Sequence, residues 1–242
     1  MFSCLAIKTS FCRNTAGVRI PLSHLYIGGQ LIEFVYSWPH LGHVLNLYRD
    51  DGADIDKTRN AMCGQINNVL CYFGYLFSVL KLKMIKTYCL SLYGSVLWEL
   101  DQSNLEALCC TWRKGLRRIW DLPYRTHCNI LPLLSCCLPM YDEICKRTAN
   151  FINLCLDSDY ALVSRLTHHG IYFEKMRSSV GRNALHCCIR YGAYNIRRIN
   201  SNTVQRWYNA TTIDELLSKV SALFSAAPWF NSQSCASDYG FG

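Results

Sequence analysis

At Asp54 the hydrophobic pattern of this 242-residue chain changes period, and that change most narrows what it can fold into. From there on, apolar residues recur at helical spacing. Ile55, Met62, Ile66, Val69, Leu70 and Phe73 share a face, with Asp54 in the N-cap position. A second helix is predicted from Ser78 to about Trp98, turning Ile85, Tyr88, Cys89, Leu92 and Val96 inward. Ser103-Asn104-Leu105-Glu106 spells a capping box and opens a third helix. Its buried stripe is Leu105, Leu108, Cys109, Trp112, Leu116, Ile119 and Trp120, with Arg113, Lys114, Arg117 and Arg118 on the opposite side. Three amphipathic helices in series read as a small bundle, so the expected fold class is mainly α.

The flanks are less regular. Before residue 50 the chain reads as β and loop. Leu25-Tyr26-Ile27, Gly28-Gly29 and Gln30-Leu31-Ile32-Glu33-Phe34-Val35 form a two-residue hairpin signal, and Trp38-Pro39-His40-Leu41-Gly42-His43 follows as an aromatic, glycine-bearing turn. Beyond the third helix, Pro123, Pro132 and Pro139 punctuate the chain, and a helix is predicted from Pro139 through Cys155. Shorter helical pieces are expected around Tyr160–His168, Arg182–Tyr191 and Ile196–Trp207. Thr212-Ile213-Asp214-Glu215 is a second capping box, opening a helix towards Ser225. The expected divisions are 1–50, 51–125, 126–227 and a loose tail at 228–242.

Half of the residues are hydrophobic and 17% are charged, which excludes wholesale disorder. Fifteen cysteines would suit a secreted disulfide scaffold, but Met1-Phe2-Ser3-Cys4-Leu5-Ala6-Ile7-Lys8 lacks a signal leader. No Cys-x-x-Cys occurs, so zinc-ribbon spacing is missing and no metal site is expected. The adjacent pairs Cys109-Cys110, Cys136-Cys137 and Cys187-Cys188 lie in apolar, helix-like stretches, and most of the thiols are expected to be small buried hydrophobes in a reducing compartment. The longest apolar run, Val69 to Leu80, is too short for a bilayer. The expectation is an intracellular chain, nuclear or cytoplasmic and not secreted, with neither a membrane nor a small molecule as partner.

Net charge is +8, and its distribution says more than its total. Arg113 and Arg117, like Lys114 and Arg118, are one helical turn apart, and with Arg125 against Asp121 the stretch Thr111–Arg125 carries +4. Cations in such an array suit phosphates spaced along a nucleic-acid backbone. A second array has no acid between Glu174 and Asp214, while Lys175, Arg177, Arg182, Arg190, Arg197, Arg198 and Arg206 give +7. Tyr191, Tyr194, Trp207 and Tyr208 are interleaved there. Such aromatics either stack on unpaired bases or belong to the core, and for each one singly the core reading is preferred. Enzyme readings are weaker. Cys128 beside His127, Cys187 beside His186, and His168-His169 are adjacencies that this many cysteines and histidines produce by chance. Gly28-Gly29 lacks the helix-opening context of a phosphate loop.

Ile27-Gly28-Gly29-Gln30 followed by Ser37-Trp38-Pro39-His40-Leu41-Gly42-His43 resembles the region after the catalytic palm strands in reverse transcriptases of non-LTR (LINE-like) retrotransposons. Gly64–Phe73, Lys86–Ser95, Thr111–Trp120 and Leu122–Cys128 resemble the thumb of that family, and the similarity covers roughly Tyr26 to Leu156. What it implies is a small β-hairpin remnant of a palm, a thumb-like helical bundle packed against a template–primer duplex, and a further helical region. On this resemblance Trp38, Leu41 and Gly42 would form the primer-grip-like turn. The family's catalytic centre is a Y-x-D-D hairpin that, with a third carboxylate from an earlier strand, holds two metal ions.

Tyr48-Arg49-Asp50-Asp51 spells that box in the wrong place, because Glu33 is the only acid before it and Gly52-Ala53-Asp54-Ile55-Asp56 runs on into a helix. The resemblance therefore implies a fragment whose fingers and catalytic carboxylates would lie before Met1. No residue is expected to be catalytic and no cofactor is expected, magnesium belonging only to the complete polymerase. The expected activity is binding of a template–primer duplex or RNA through Arg113, Lys114, Arg117, Arg118, Arg125, Arg190, Arg197 and Arg198, with self-association through the open palm edge. Two alternatives remain open on the residues: polymerase activity through Asp50 and Asp51 or with another chain, and a host-adopted protein-interaction module without a nucleic-acid role.

Overall fold

A computed structural model of the chain describes residues 26–27, 29–31, 37–40, 42–46, 50–211 and 218. The chain is mainly helical. Two short antiparallel hairpins come first. In one, β1 (Tyr26–Ile27) pairs with β2 (Gln30–Leu31), with Tyr26 opposite Leu31, as the two-residue signal predicts. The second is a correction. The expected turn at Trp38–His43 is itself a hairpin, β3 (Ser37–His40) against β4 (His43–Asn46), with Trp38 opposite Leu45. Gly42 supplies the left-handed backbone of its loop at φ +88°, while Leu41 lies outside the described residues.

Helix α1 (Gly52–Tyr72) buries Ile55, Met62, Ile66 and Val69, the stripe that the periodicity predicts. Its N-cap is Asp51 rather than Asp54, and the Asp50 carboxylate accepts the Gly52 N–H at 3.0 Å. Asp54 has a different task. It lies one turn inside the helix, 5% exposed, where three donors converge. The His43 Nδ1 is 3.0 Å away, the Val44 N–H donates at 3.1 Å and the Trp98 indole N–H at 2.8 Å. One carboxylate thus joins β4, α1 and a residue 44 positions downstream.

That bond explains the second correction. Helix α2 (Ser78–Tyr88) stops well short of Trp98, and Tyr88, expected inside, is 67% exposed. To return Trp98 to Asp54 the chain doubles back through Gly94, at φ +81°, and a 3-10 turn at Ser95–Leu97. A Cβ at Gly94 would stand 1.4 Å from the His43 ring, so only glycine fits.

Helix α3 (Ser103–Ile119) buries Leu105, Leu108, Cys109, Trp112, Leu116 and Ile119 as predicted, with Trp120 half-buried beyond its end. Its capping box does not form. Gln102 is the N-cap, and Glu106 reaches along the helix to Arg113 instead. Helix α4 (Ile130–Leu134) departs from the sequence pattern, in which Pro132 reads as a breaker. Pro132 falls in the first turn, where a backbone N–H has no helical partner to lose.

Helix α5 (Met140–Leu156) follows Pro139 and is the hub, packing on α3, on both 3-10 turns, on α6 (Ala161–Tyr172) and on α7 (Ser179–Tyr191). Helix α7 starts before Arg182 because the Ser178 hydroxyl accepts the Gly181 N–H at 2.9 Å and donates to the Gly170 carbonyl at 2.8 Å. The predicted piece Ile196–Trp207 splits into a 3-10 turn, Ile196–Arg198, and helical turns over 201–211. At the break Asn200 takes the Thr203 N–H at 2.9 Å. The predicted helix from Thr212 and the tail at 228–242 lie outside the described residues, Ser218 excepted.

One apolar core runs from Ile55 to Tyr208 through all these helices. Asn183 stitches its halves, accepting the Leu100 N–H at 3.0 Å and donating to the Trp98 carbonyl at 2.8 Å. Cys89, Cys109, Cys145 and Cys187 are core residues, whereas Cys63, Cys71, Cys128 and Cys136 are exposed. Cys136 also lies past α4 in a left-handed turn, φ +43°, not in a helix. Cys110, Cys137, Cys155 and Cys188 are partly buried, so the expectation that most thiols are buried holds fully for only four of the described ones.

Asp54→Ala should destabilise the chain by about 3–5 kcal/mol, since it strands buried donors on two elements. Urea unfolding followed by tryptophan fluorescence measures this. A loss below about 1 kcal/mol would mean that the three bonds do not hold the fold.

Candidate nucleic-acid interface

The outward side of α3 carries the first basic array, and the structure divides it. Arg113 pairs with Glu106 and bonds the Cys110 sulfur at 2.9 Å. Burial opposes its charge, but the Glu106 hydrogen bond and attraction outweigh burial and hold the guanidinium above its ordinary value. Arg117 is half-buried. It donates to the Thr126 carbonyl at 2.9 Å and lies 5.7 Å from the Tyr124 ring, fixing the chain after α3. Arg118 is exposed and held by the Asn67 side chain of α1. Lys114 and Arg125 are exposed, with no ion pair among the described residues. The array is thus two braced arginines, one tethered at the surface, and two open cations.

The neighbouring helices add a feature that the arginine spacing does not reveal. From Lys57 to Trp98 the chain has no acid, while Lys57, Arg59, Lys81, Lys83 and Lys86 are basic. Because α1 packs directly on α3, Arg118 meets the neutral Asn67 amide of α1 rather than a carboxylate. Counting charge helix by helix, instead of around one arginine cluster, would have found this stretch.

In the second array Arg182 and Arg190 are engaged by carboxylates, whereas Lys175, Arg177, Arg198 and Arg206 are exposed. Arg190 makes a two-pronged bond to buried Asp142, at 2.7 and 3.1 Å, and its guanidinium lies 4.9 Å from Tyr141 and 5.0 Å from Trp207. This corrects its reading as a phosphate contact. Removing Arg190 from Asp142 would leave a carboxylate only 2% exposed without its counter-charge. Arg182 pairs with Glu99, and Arg197 with Asp157 at 2.6 Å. Arg198 is exposed and lies 4.2 Å over Tyr194, itself 75% exposed. Tyr191 and Tyr208 are core, as preferred for them singly, and Trp207 is half-buried.

The turn assigned to a primer grip is only partly open to view. Trp38 is in strand β3 and Gly42 makes the bend, its carbonyl accepting the Lys57 ammonium at 2.7 Å. Asp50 and Asp51 lie at a helix start rather than at the tip of a hairpin. Asp51 accepts the Glu99 N–H at 2.8 Å and the Gln102 amide at 3.4 Å. Burial raises its carboxyl above the usual value against the Glu99 N–H, and the charges of Glu99, Asp50 and Asp54 add to the rise. These carboxylates hold the start of α1 and tie it to the segment around Glu99.

The remaining catalytic adjacencies separate. Cys187 is fully buried against Cys145, whose hydrogen bond, together with burial, pushes the thiol far above its ordinary range. His186 turns away to the Tyr141 hydroxyl at 2.7 Å. His127 accepts the Asn129 N–H at 3.3 Å, while Cys128 meets Arg117 at 3.5 Å. His168 and His169 stack on Tyr172 and Phe173 of their own helix end. No helix among the described residues is long and apolar enough to cross a membrane.

No family model, curated protein or solved structure matches the chain.

Burial, with the Arg190 cation beside it, holds the His186 ring below its ordinary value, against a smaller pull from Asp101. The unfolded chain therefore takes up a proton that the folded ring resists. Stability is full above about pH 6.5 and falls as pH drops through the folded value. His186→Gln should flatten that fall between about pH 7 and 5 in thermal melts, and an unchanged slope would show that the ring titrates freely.

Proposed function

We propose that this chain is a non-catalytic, thumb-like fragment of a non-LTR reverse transcriptase that binds a nucleic-acid duplex by its backbone. The observation that carries the reading is the open basic side of α3. Lys114, Arg118 and Arg125 are exposed there, braced from beneath by Arg117 on Thr126 and set beside an α1–α2 stretch without acids. Phosphate contacts suit exposed cations free of carboxylate partners, and Lys114, Arg118 and Arg125 have none among the described residues. The Tyr124 ring lies beside Arg117 and is 78% exposed. Arg198 on Tyr194 is a lesser, separate contact point. The engaged state of Asp51 and Asp54 supports a binding role without chemistry.

The triple change Lys114→Ala, Arg118→Ala, Arg125→Ala should weaken binding to a DNA–RNA duplex equally for all sequences. The slope of log K against log salt should shrink by about 2 to 3, near 0.9 for each phosphate no longer neutralised. Affinity of the parent chain that stays flat as salt rises would instead favour a protein-interaction module. In primer extension with magnesium the chain alone should incorporate nothing. Incorporation that Asp50→Asn abolishes would overturn the reading.

A further inference from the structure

On another part of the molecule, α2, the end of α3 and α4 enclose an open groove of about 360 Å³. Leu82, Trp120, Val79 and Leu134 give it an apolar lining, and Lys83 and Lys86 stand among them. Ser135 builds it. The Trp120 indole N–H donates to the Ser135 hydroxyl at 3.1 Å, and the Lys86 ammonium donates to the Ser135 and Cys136 carbonyls at 2.6 and 3.3 Å. The groove is therefore held in shape without an occupant. Leu82 at its base is buried, while Val79 is 65% and Leu134 46% exposed, and Phe77 and Leu80 nearby are exposed too.

Charge decides what fits. Among the described residues no acid lines the groove, and the segment that supplies most of it is the acid-free stretch from Lys57 to Trp98. A second copy would bring the same cations against themselves. Nucleic acid would meet the two lysines but leave the apolar floor of Val79, Leu82 and Leu134 without a matching apolar group. An amphipathic helix with an acidic flank matches both halves: large apolar side chains at i, i+3 and i+4 fill the groove, and carboxylates meet the lysines. Lys86 keeps one N–H for this after its two carbonyl bonds. We infer that the α2–α4 groove docks an acidic amphipathic helix of a partner protein, its apolar stripe on Leu82, Trp120 and Leu134 and its carboxylates on Lys83 and Lys86.

The test uses the full chain and a fluorescein-labelled helical peptide with leucines at i, i+3, i+4 and i+7 and glutamates elsewhere. Anisotropy should give micromolar binding, with a change in Trp120 emission. Leu134→Glu should weaken it by about tenfold or more and Lys83→Glu by roughly fivefold, with Arg165→Ala, an exposed cation on α6, without effect. If Leu134→Glu fails to fold by circular dichroism, Lys83→Glu at its exposed position still decides. Three results would each overturn the inference: equal binding of a scrambled peptide of the same composition, peptide binding indifferent to both groove variants, or an inert peptide with Leu134→Glu abolishing self-association or duplex binding instead.

Discussion

The bond between the Trp98 indole and the Asp54 carboxylate is the constraint on which the rest of the N-terminal half depends. A buried carboxylate is tolerated only when donors surround it, and here three converge from two places: His43 and Val44 on β4, and Trp98 across 44 residues. Satisfying Asp54 forces the chain after α2 to turn back at Gly94, shortens α2, and sets Trp98 where its carbonyl can take the Asn183 amide. A polar demand at one side chain thereby fixes the path by which α2, α3 and α7 reach a common core. Asp142 does the same for the C-terminal half, holding Arg190 and the Tyr191 hydroxyl from the first turn of α5.

Where hydrophobic period dominates, the sequence is a good guide. The stripes of α1 and α3 are those expected, because each contains enough turns for the pattern to be unambiguous. Where a single polar contact dominates, it is not. Asp54 looks like an N-cap because Asp is a common capping residue, yet its depth in α1 is set by a tryptophan far along the chain that periodicity cannot see. Ser103 and Glu106 spell a capping box, but Arg113 offers Glu106 a charged partner and wins over a backbone N–H. Pro132 reads as a stop, although position within the first turn makes it harmless.

The same distinction governs the cations. Helical spacing alone groups Arg113 and Arg117 with Lys114 and Arg118. Spacing says which residues share a side, not which ones have found partners. Glu106 and the Thr126 carbonyl take the first two, and the others remain at the surface. Arg190 is the extreme case: it belongs to the most basic stretch of the chain and is among the least available of its charges, bonded to Asp142 and set against two aromatic rings.

A division of labour between arginine and lysine follows from their chemistry. The arginines near the core are used where a planar fork can reach two acceptors or lie on a ring: Arg190 on Asp142, Arg182 on Glu99 and neighbouring carbonyls, Arg117 on Thr126 and Tyr124. On α2, Lys83 stays on the outside and Lys86 closes the end of a short helix by its carbonyls. Lysine is a strongly hydrated point charge, costly to bury and easy to leave in water, so a stretch rich in lysine and empty of acid retains its field at the surface. In the C-terminal array, by contrast, Arg182 and Arg190 are engaged by carboxylates, while Lys175, Arg177, Arg198 and Arg206 stay exposed.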